Sequence, residues 1–426
     1  MTLVEAIEVA NFSPEKRTLY LRVILAALLA IFLLSAAQFA GWTQLVRPRG
    51  LMDFDSFHLV ARLFWSGQIR SAYHLPSLVA LQESLLGLKG RMPWTYPPQF
   101  ALLLAPLAFL PLGMAYLLFT GLSLTAYLAL LKRIAGTSFV PVLMVTFPCL
   151  LVTIGSGQNG FLTGALIGLA CLGFANRRAV TGVPLGLMII KPHLAIAFAL
   201  YAIADRRWDV VLTAAATVIL SMIVTTAILG FGIWTAFFGG IREASTFLSE
   251  GLYPLFRMVS LYASFRSLGV PAAPAMAVQL LSGCLALTAV VWASRHFAQR
   301  QALGVAAMAS LLVSPYAYDY DMPIFAVGLA LLHGDIVHLA STRERLTVYG
   351  LIAFSSGVGL LQTFAQTPLP DMPLWALSGL TLFAAASLIF RAVLRSVPGA
   401  VPFAFGGFGR EDGKTLASHG GDISSL

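Results

Sequence analysis

Asp53-Phe54-Asp55 sets two carboxylates two positions apart in a chain of 426 residues that holds only 18 acidic and 27 basic side chains. Asp-x-Asp is the spacing that chelates a metal with a nucleotide diphosphate, but three residues outside a soluble nucleotide-binding fold argue little for that. The sharper chemistry is a general base beside a second carboxylate that orients an acceptor or a cation. A solvated loop just past a helix end is the bland alternative. Phe57, Leu59, Val60, Leu63 and Phe64 follow the pair at helical rather than strand spacing. This predicts an amphipathic helix lying on a membrane surface with Asp53 at its N-terminal end. On a helix, the two carboxylates diverge by roughly 200° around the axis, so one of them dominates.

Lys191-Pro192-His193 interrupts an apolar run. A lysine in such a run is costly, which points to function with a phosphate as its partner, or to snorkelling toward the headgroups. Arg257 follows Tyr253-Pro254 in a stretch where Arg242, Glu243, Glu250 and Arg266 lie among aromatics. Its guanidinium suits a lipid phosphate. Between two short apolar runs lies Ser314-Pro315-Tyr316-Ala317-Tyr318-Asp319-Tyr320-Asp321, whose carboxylates and tyrosines are expected to face the first loop across a cavity. Tyr96-Pro97-Pro98 reads as a helix start or an interfacial belt, and Gly155-Ser156-Gly157-Gln158-Asn159-Gly160 as a hairpin turn. Cys149, Cys171 and Cys284 sit in apolar runs and read as small hydrophobes rather than disulfides or metal ligands.

The elements that must position these residues follow from composition. With 58% hydrophobic and 11% charged residues, and a mean hydropathy of +0.84, the chain cannot cover a soluble globule, which carries about 25% charge. Apolar runs of helix length select an all-α polytopic bundle over a barrel. They predict about twelve crossings: 20–42, 98–110, 112–131, 139–155, 158–175, 180–204, 209–230, 272–294, 301–315, 322–334, 347–364 and 373–394. Two long polar-enriched loops, 43–97 and 231–271, then fall on one outer face and hold amphipathic juxtamembrane helices. Residues 1–19 form a cytoplasmic N-terminus without a signal-peptide pattern, 20–397 the membrane domain, and 398–426 a flexible cytoplasmic tail.

Positive charge in short loops fits a cytoplasmic side for residues 205–207, 295–300, 343–345 and 391–395, but not for Lys132-Arg133 or Arg177-Arg178. Both pairs move inside if 98–110 is a re-entrant half-helix and 180–204 breaks at Lys191-Pro192. The net charge of +9 belongs to these loops. With no basic run interleaved with aromatics, nucleic acid is not an expected partner.

In order and spacing, Asp53, Phe54 and Phe57, then Tyr73, Tyr96-Pro97-Pro98, Gly157-Gln158-Asn159, Lys191-Pro192, Ser314-Pro315 and Tyr320-Asp321 resemble family 87 of the C-type glycosyltransferases. These are polytopic enzymes that use polyprenyl-phosphate sugars, and the likeness runs over about residues 20–395. It implies an inverting hexosyltransferase, with mannose as a candidate sugar, a glycan or lipid acceptor, and a site on the outer face of a bacterial plasma membrane. It also implies that Asp53 is the base, with Asp55 beside it. Arg257 and Lys191 would hold the donor phosphate, and Tyr96, Gln158, Asn159, Tyr316, Asp319 and Asp321 would bind substrate. The leaving group is a monophosphate ester on a lipid, so neither a metal nor a cofactor is required. Some relatives carry a histidine near Ser314-Pro315, where this chain has tyrosines and aspartates. Two other classes are a transporter or flippase, which needs midplane charges and repeats, and a non-catalytic envelope scaffold, which does not need the carboxylates.

Overall fold

The computed structural model describes residues 13–42, 50–87, 92–365 and 374–397. The expected tail, 398–426, and residues 1–12 of the expected N-terminus lie outside these. Among the described residues the regular structure is helical, and strand pairing is limited to one isolated bridge between Met258 and Tyr318.

The first helix, Pro14–Phe39, starts earlier than the hydropathy suggests, because Ser13 caps it by accepting from the Lys16 N–H at 3.4 Å and Pro14 suits its first turn. Its Leu25, Leu29, Leu33 and Leu34 face outward, as do Leu212, Ile219, Leu220 and Ile223 of the Trp208–Leu229 helix. Apolar bands of that extent are unfavourable in water and are the natural surface of a helix in lipid. Among the described residues, six stretches are long and apolar enough to cross a membrane: Pro14–Phe39, Leu112–Ser156, Trp208–Leu229, Ala272–His296, Asp319–Leu339 and Thr342–Ala365. The second comprises two helices, Leu112–Ala135 and Phe139–Ser156, joined through the Gly136–Ser138 turn. Shorter apolar helices at Pro98–Phe109, Gly160–Ala175, Ala179–Ile190 and Ser378–Leu394 pack among them.

These six stretches cover seven of the twelve expected crossings, and 98–110, 158–175, 180–204, 301–315 and 373–394 do not reach that length as single helices. Pro98–Phe109 extends roughly 18 Å at helical rise, short of the ~30 Å hydrocarbon core. The 180–204 run breaks at Lys191, whose φ of −143° and ψ of 70° are extended rather than helical, with the next turn restarting at Pro192. Pro192 has no N–H to donate and disfavours helical geometry at the residue before it.

The breaks also fix where the two basic pairs lie along the bundle. The chain runs away from Gln158 along Gly160–Ala175, returns to Lys191, then leaves again along Ile196–Ala204. The Arg207 guanidinium lies 5.6 Å from the Phe174 ring, and the Ile134 side chain would lie 3.5 Å from a Cβ on Gly168, in ordinary contact. Lys132-Arg133, Arg177-Arg178 and Arg206-Arg207 therefore share the end of the bundle opposite Gln158.

Residues 50–87 fold as the Asp53–Trp65 helix, a 3-10 turn at Ile69–Tyr73 and the Leu75–Leu86 helix. They meet the Gly232–Ser249 helix through Glu243, whose carboxylate takes His74 Nδ1 at 2.8 Å and the Leu75 N–H at 2.7 Å. The Asp53–Trp65 helix is not the surface-lying helix its pattern suggests. Phe54, Phe57, Leu59, Val60 and Leu63 are all buried in protein. Phe57 alone makes edge-on ring contacts with Trp94, Tyr96, Phe100 and Phe119 at 5.1–6.0 Å.

Candidate active site

The start of the Asp53–Trp65 helix sends its two carboxylates to different places. Asp55 Oδ2 accepts the Met52 N–H at 2.9 Å and satisfies the helix N-terminus. Asp55 is fully buried and is not part of the cavity wall. Asp53, a little over half a turn away, lines a cavity of about 480 Å³. Burial raises its carboxyl above the ordinary aspartate value. Arg257, the hydrogen bond from Gln158, and Lys191 oppose that rise.

Gln158 reaches Asp53 because two glycines let its turn wedge between neighbouring elements. Gly157 has φ +67°, and a Cβ there would lie 2.6 Å from the Phe54 Cβ. A Cβ on Gly160 would collide with the Tyr320 carbonyl oxygen. Seated in this gap, Gln158 Nε2 donates to Asp53 Oδ1 at 2.9 Å. Its Oε1 accepts the Tyr96 hydroxyl at 2.8 Å and the Asn159 N–H at 2.9 Å. Asn159 is buried behind the wall, with its carboxamide beside the Tyr96 hydroxyl but without a well-formed hydrogen bond.

The two cations come from the helix break and the second long segment, and residues 319–321 hold both. Lys191 Nζ donates to Asp321 Oδ1 at 2.6 Å. Arg257 binds Asp319 with two hydrogen bonds, Nε to Oδ2 at 3.1 Å and Nη2 to Oδ1 at 2.9 Å. The Tyr320 ring lies between the cations, 4.8 Å from Lys191 Nζ and 5.7 Å from the Arg257 guanidinium carbon. The second segment reaches this turn through Val259 N–H to the Ala317 carbonyl at 2.9 Å and Ser260 Oγ to the Pro315 carbonyl at 2.8 Å.

Of the residues singled out in the sequence, Asp53, Tyr96, Gln158, Lys191, Arg257, Tyr316 and Asp321 share one cavity. Asp55, Asn159 and Asp319 stand behind it, as cap, turn and anchor for Arg257. The stretch 314–321 does face the first loop across this space, as its composition suggested. Tyr318 and Tyr320 of the 314–321 stretch line it too, as do Trp94, His193 and Tyr253, to which the sequence assigned no site role. His193 Nε2 and the Tyr253 hydroxyl are buried without a well-formed hydrogen bond among the described residues, and Tyr316 lies beside Tyr253. The available signal was adjacency, since His193 completes Lys191-Pro192-His193 and Tyr253 precedes Pro254 on the way to Arg257.

The family model of glycosyltransferase family 87 matches residues 94–315, slightly more than half of the chain. The chain belongs to glycosyltransferase family 87. No curated protein and no solved structure matches it. As a family 87 member it is a glycosyltransferase, and its apolar helices make it a membrane one. The matched region contains Tyr96, Gln158, Lys191 and Arg257 of this family 87 enzyme, whereas Asp53 and Asp321 join the same cavity from outside it.

Proposed function

We propose that the protein transfers a hexose, with mannose the first candidate, from a polyprenyl-phosphate donor to an envelope glycan or lipid, with inversion at the anomeric carbon. One observation supports this most. The Asp53 carboxylate and two cations anchored on Asp319 and Asp321 share one cavity walled by aromatic side chains. Asp53 takes the proton of the acceptor hydroxyl as that oxygen attacks the anomeric carbon. The bond from that carbon to the phosphate oxygen breaks, and the diester leaves as a lipid monophosphate with one more negative charge. Arg257 and Lys191 keep N–H groups beyond those given to Asp319 and Asp321, and these meet the growing charge.

An aspartate is a weak base toward an alcohol, so much of the rate comes from holding acceptor and donor in line. The cations are well suited to that work because each is already fixed by its carboxylate and by Tyr320. His193 Nε2 and the Tyr253 hydroxyl, neither in a well-formed hydrogen bond among the described residues, offer hydrogen bonds to sugar hydroxyls. The basic ends of the bundle face the cytoplasm and the cavity opens toward the outer face.

The test uses the full chain in lipid nanodiscs with polyprenyl-phosphate mannose as donor and an alkyl mannoside as acceptor. Lys191→Met and Arg257→Gln should weaken donor use at least tenfold, and Arg257→Lys should restore only part of it, because an ammonium cannot replace the fork bound to Asp319. Transfer from a soluble nucleotide sugar in place of the lipid donor would refute the donor assignment.

A further inference from the structure

We infer that Gln158 is a positioning residue, held by Tyr96 and by its own turn, that fixes the orientation of Asp53 and leaves Oδ2 as the oxygen that receives the acceptor's proton. The inference rests on Asp53 being the base and adds what aims that base. A carboxamide can in principle present either end to a neighbour. Here one end of Gln158 meets the Asn159 N–H, which can only donate, so the oxygen must lie there. The Tyr96 hydroxyl donates to the same oxygen. The NH₂ end is thereby committed to Asp53 Oδ1.

The support behind this amide is rigid. Tyr96 has its carbonyl tied to the Tyr73 hydroxyl at 3.0 Å. Its ring lies 4.7 Å from Phe100, 4.9 Å from Trp94 and 5.5 Å from Phe57. The turn cannot retreat without opening the contacts that Gly157 and Gly160 permit with Phe54 and Tyr320. Gln158 is 3% exposed, so water does not compete for the bond. Fixing one carboxylate oxygen stops the group from rotating, and a single oxygen is then presented to the acceptor.

The same bond sets how readily Asp53 gives up its proton, since a donor to the carboxylate favours the charged form. Other groups near Asp53 are Arg257 and Lys191, which favour the charge, and Asp319, Asp321, Tyr96, Tyr318 and Tyr320, which share the cavity region. Gln158→Met keeps the shape and removes both ends of the amide. Gln158→Glu still accepts from Tyr96 and Asn159 but turns an acceptor toward Asp53, so the two carboxyls must share a proton. The protonation midpoint of Asp53 should therefore rise by about one pH unit in Gln158→Met and further in Gln158→Glu. Tyr96→Phe frees one restraint and should give a smaller rise in the same direction.

The experiment is an infrared titration of the protonated carboxyl band in the full chain in nanodiscs, with Asp53→Asn assigning the band, so no substrate is needed. Turnover with polyprenyl-phosphate mannose and an alkyl mannoside is measured in parallel. Gln158→Met should lower kcat at least tenfold with little change in KM for the donor, and its acid limb should move with the infrared midpoint. If Gln158→Met fails to fold, Tyr96→Phe and Gln158→Glu still test the order. Unmoved midpoints in the folded variants would overturn the inference. Full turnover by Asp53→Asn would instead overturn the base assignment, whatever the midpoints do.

Discussion

Two aspartates separated by one phenylalanine do different jobs because a helix turns them apart. Asp53→Asn keeps shape and removes the proposed base, so transfer should fall by about 10²-fold or more while donor binding persists. Asp55→Ala should leave turnover per folded molecule within a few-fold and cost about 1–2 kcal/mol, the worth of a lost N-terminal cap. Steady-state kinetics and thermal unfolding of the two variants separate these outcomes, and a larger kinetic loss at position 55 would reverse the assignment. The pH dependence follows from the burial of Asp53. A base must be deprotonated to act, and its folded value is raised above 3.8. Activity should thus be present at higher pH and be lost as pH falls through a midpoint above 3.8. An acid limb absent in wild type down to that value would contradict the environment described for Asp53.

At the scale of elements, the site depends on a turn, a helix break and a helix start meeting in one place. Gly157 is one of these joints, where a left-handed φ combines with a 2.6 Å approach to Phe54 for any added Cβ. Gly157→Ala should push the turn from the Asp53–Trp65 helix, destabilise the fold by about 1–3 kcal/mol and lower transfer well beyond what the loss of folded protein explains. Wild-type turnover and melting temperature in that variant would show that the turn has slack. The break at Lys191 was legible as an option, because a lysine and a proline inside an apolar run are both expensive in a continuous membrane helix. The burial of the Asp53–Trp65 helix was not legible. Its period shows an apolar face, and only the covering residues show whether lipid or protein meets it.

For the whole molecule, the cavity and the basic pairs lie at opposite ends of the bundle, which supports the proposed outward-facing site with a cytoplasmic basic face. Single cysteines at Ser84 and Ser249, one in each long segment, should react with an impermeant thiol reagent in intact cells lacking Cys149, Cys171 and Cys284. A cysteine at Arg178 should react only after lysis. The reverse pattern would place the cavity on the cytoplasmic side and remove the case for an envelope acceptor.

Hydropathy and helical period act within windows of about twenty residues, and within such windows the chain alone determined its class. It marked the membrane helices, the two long segments between them, and the polar residues too costly to be incidental. Composition also singled out 314–321 as a partner for the first loop. What the windows do not contain is pairing between distant positions. Asp53 meets Gln158 across 105 positions, Lys191 meets Asp321 across 130, and Arg257 meets Asp319 across 62. Those contacts decided which aspartate faces the cavity and which anchor the cations. Helix length and chain path likewise decided that 98–110 and 180–204 are not continuous spans. They are products of packing, where glycines without side chains let three backbones close on one another, and no local pattern encodes which backbones those will be.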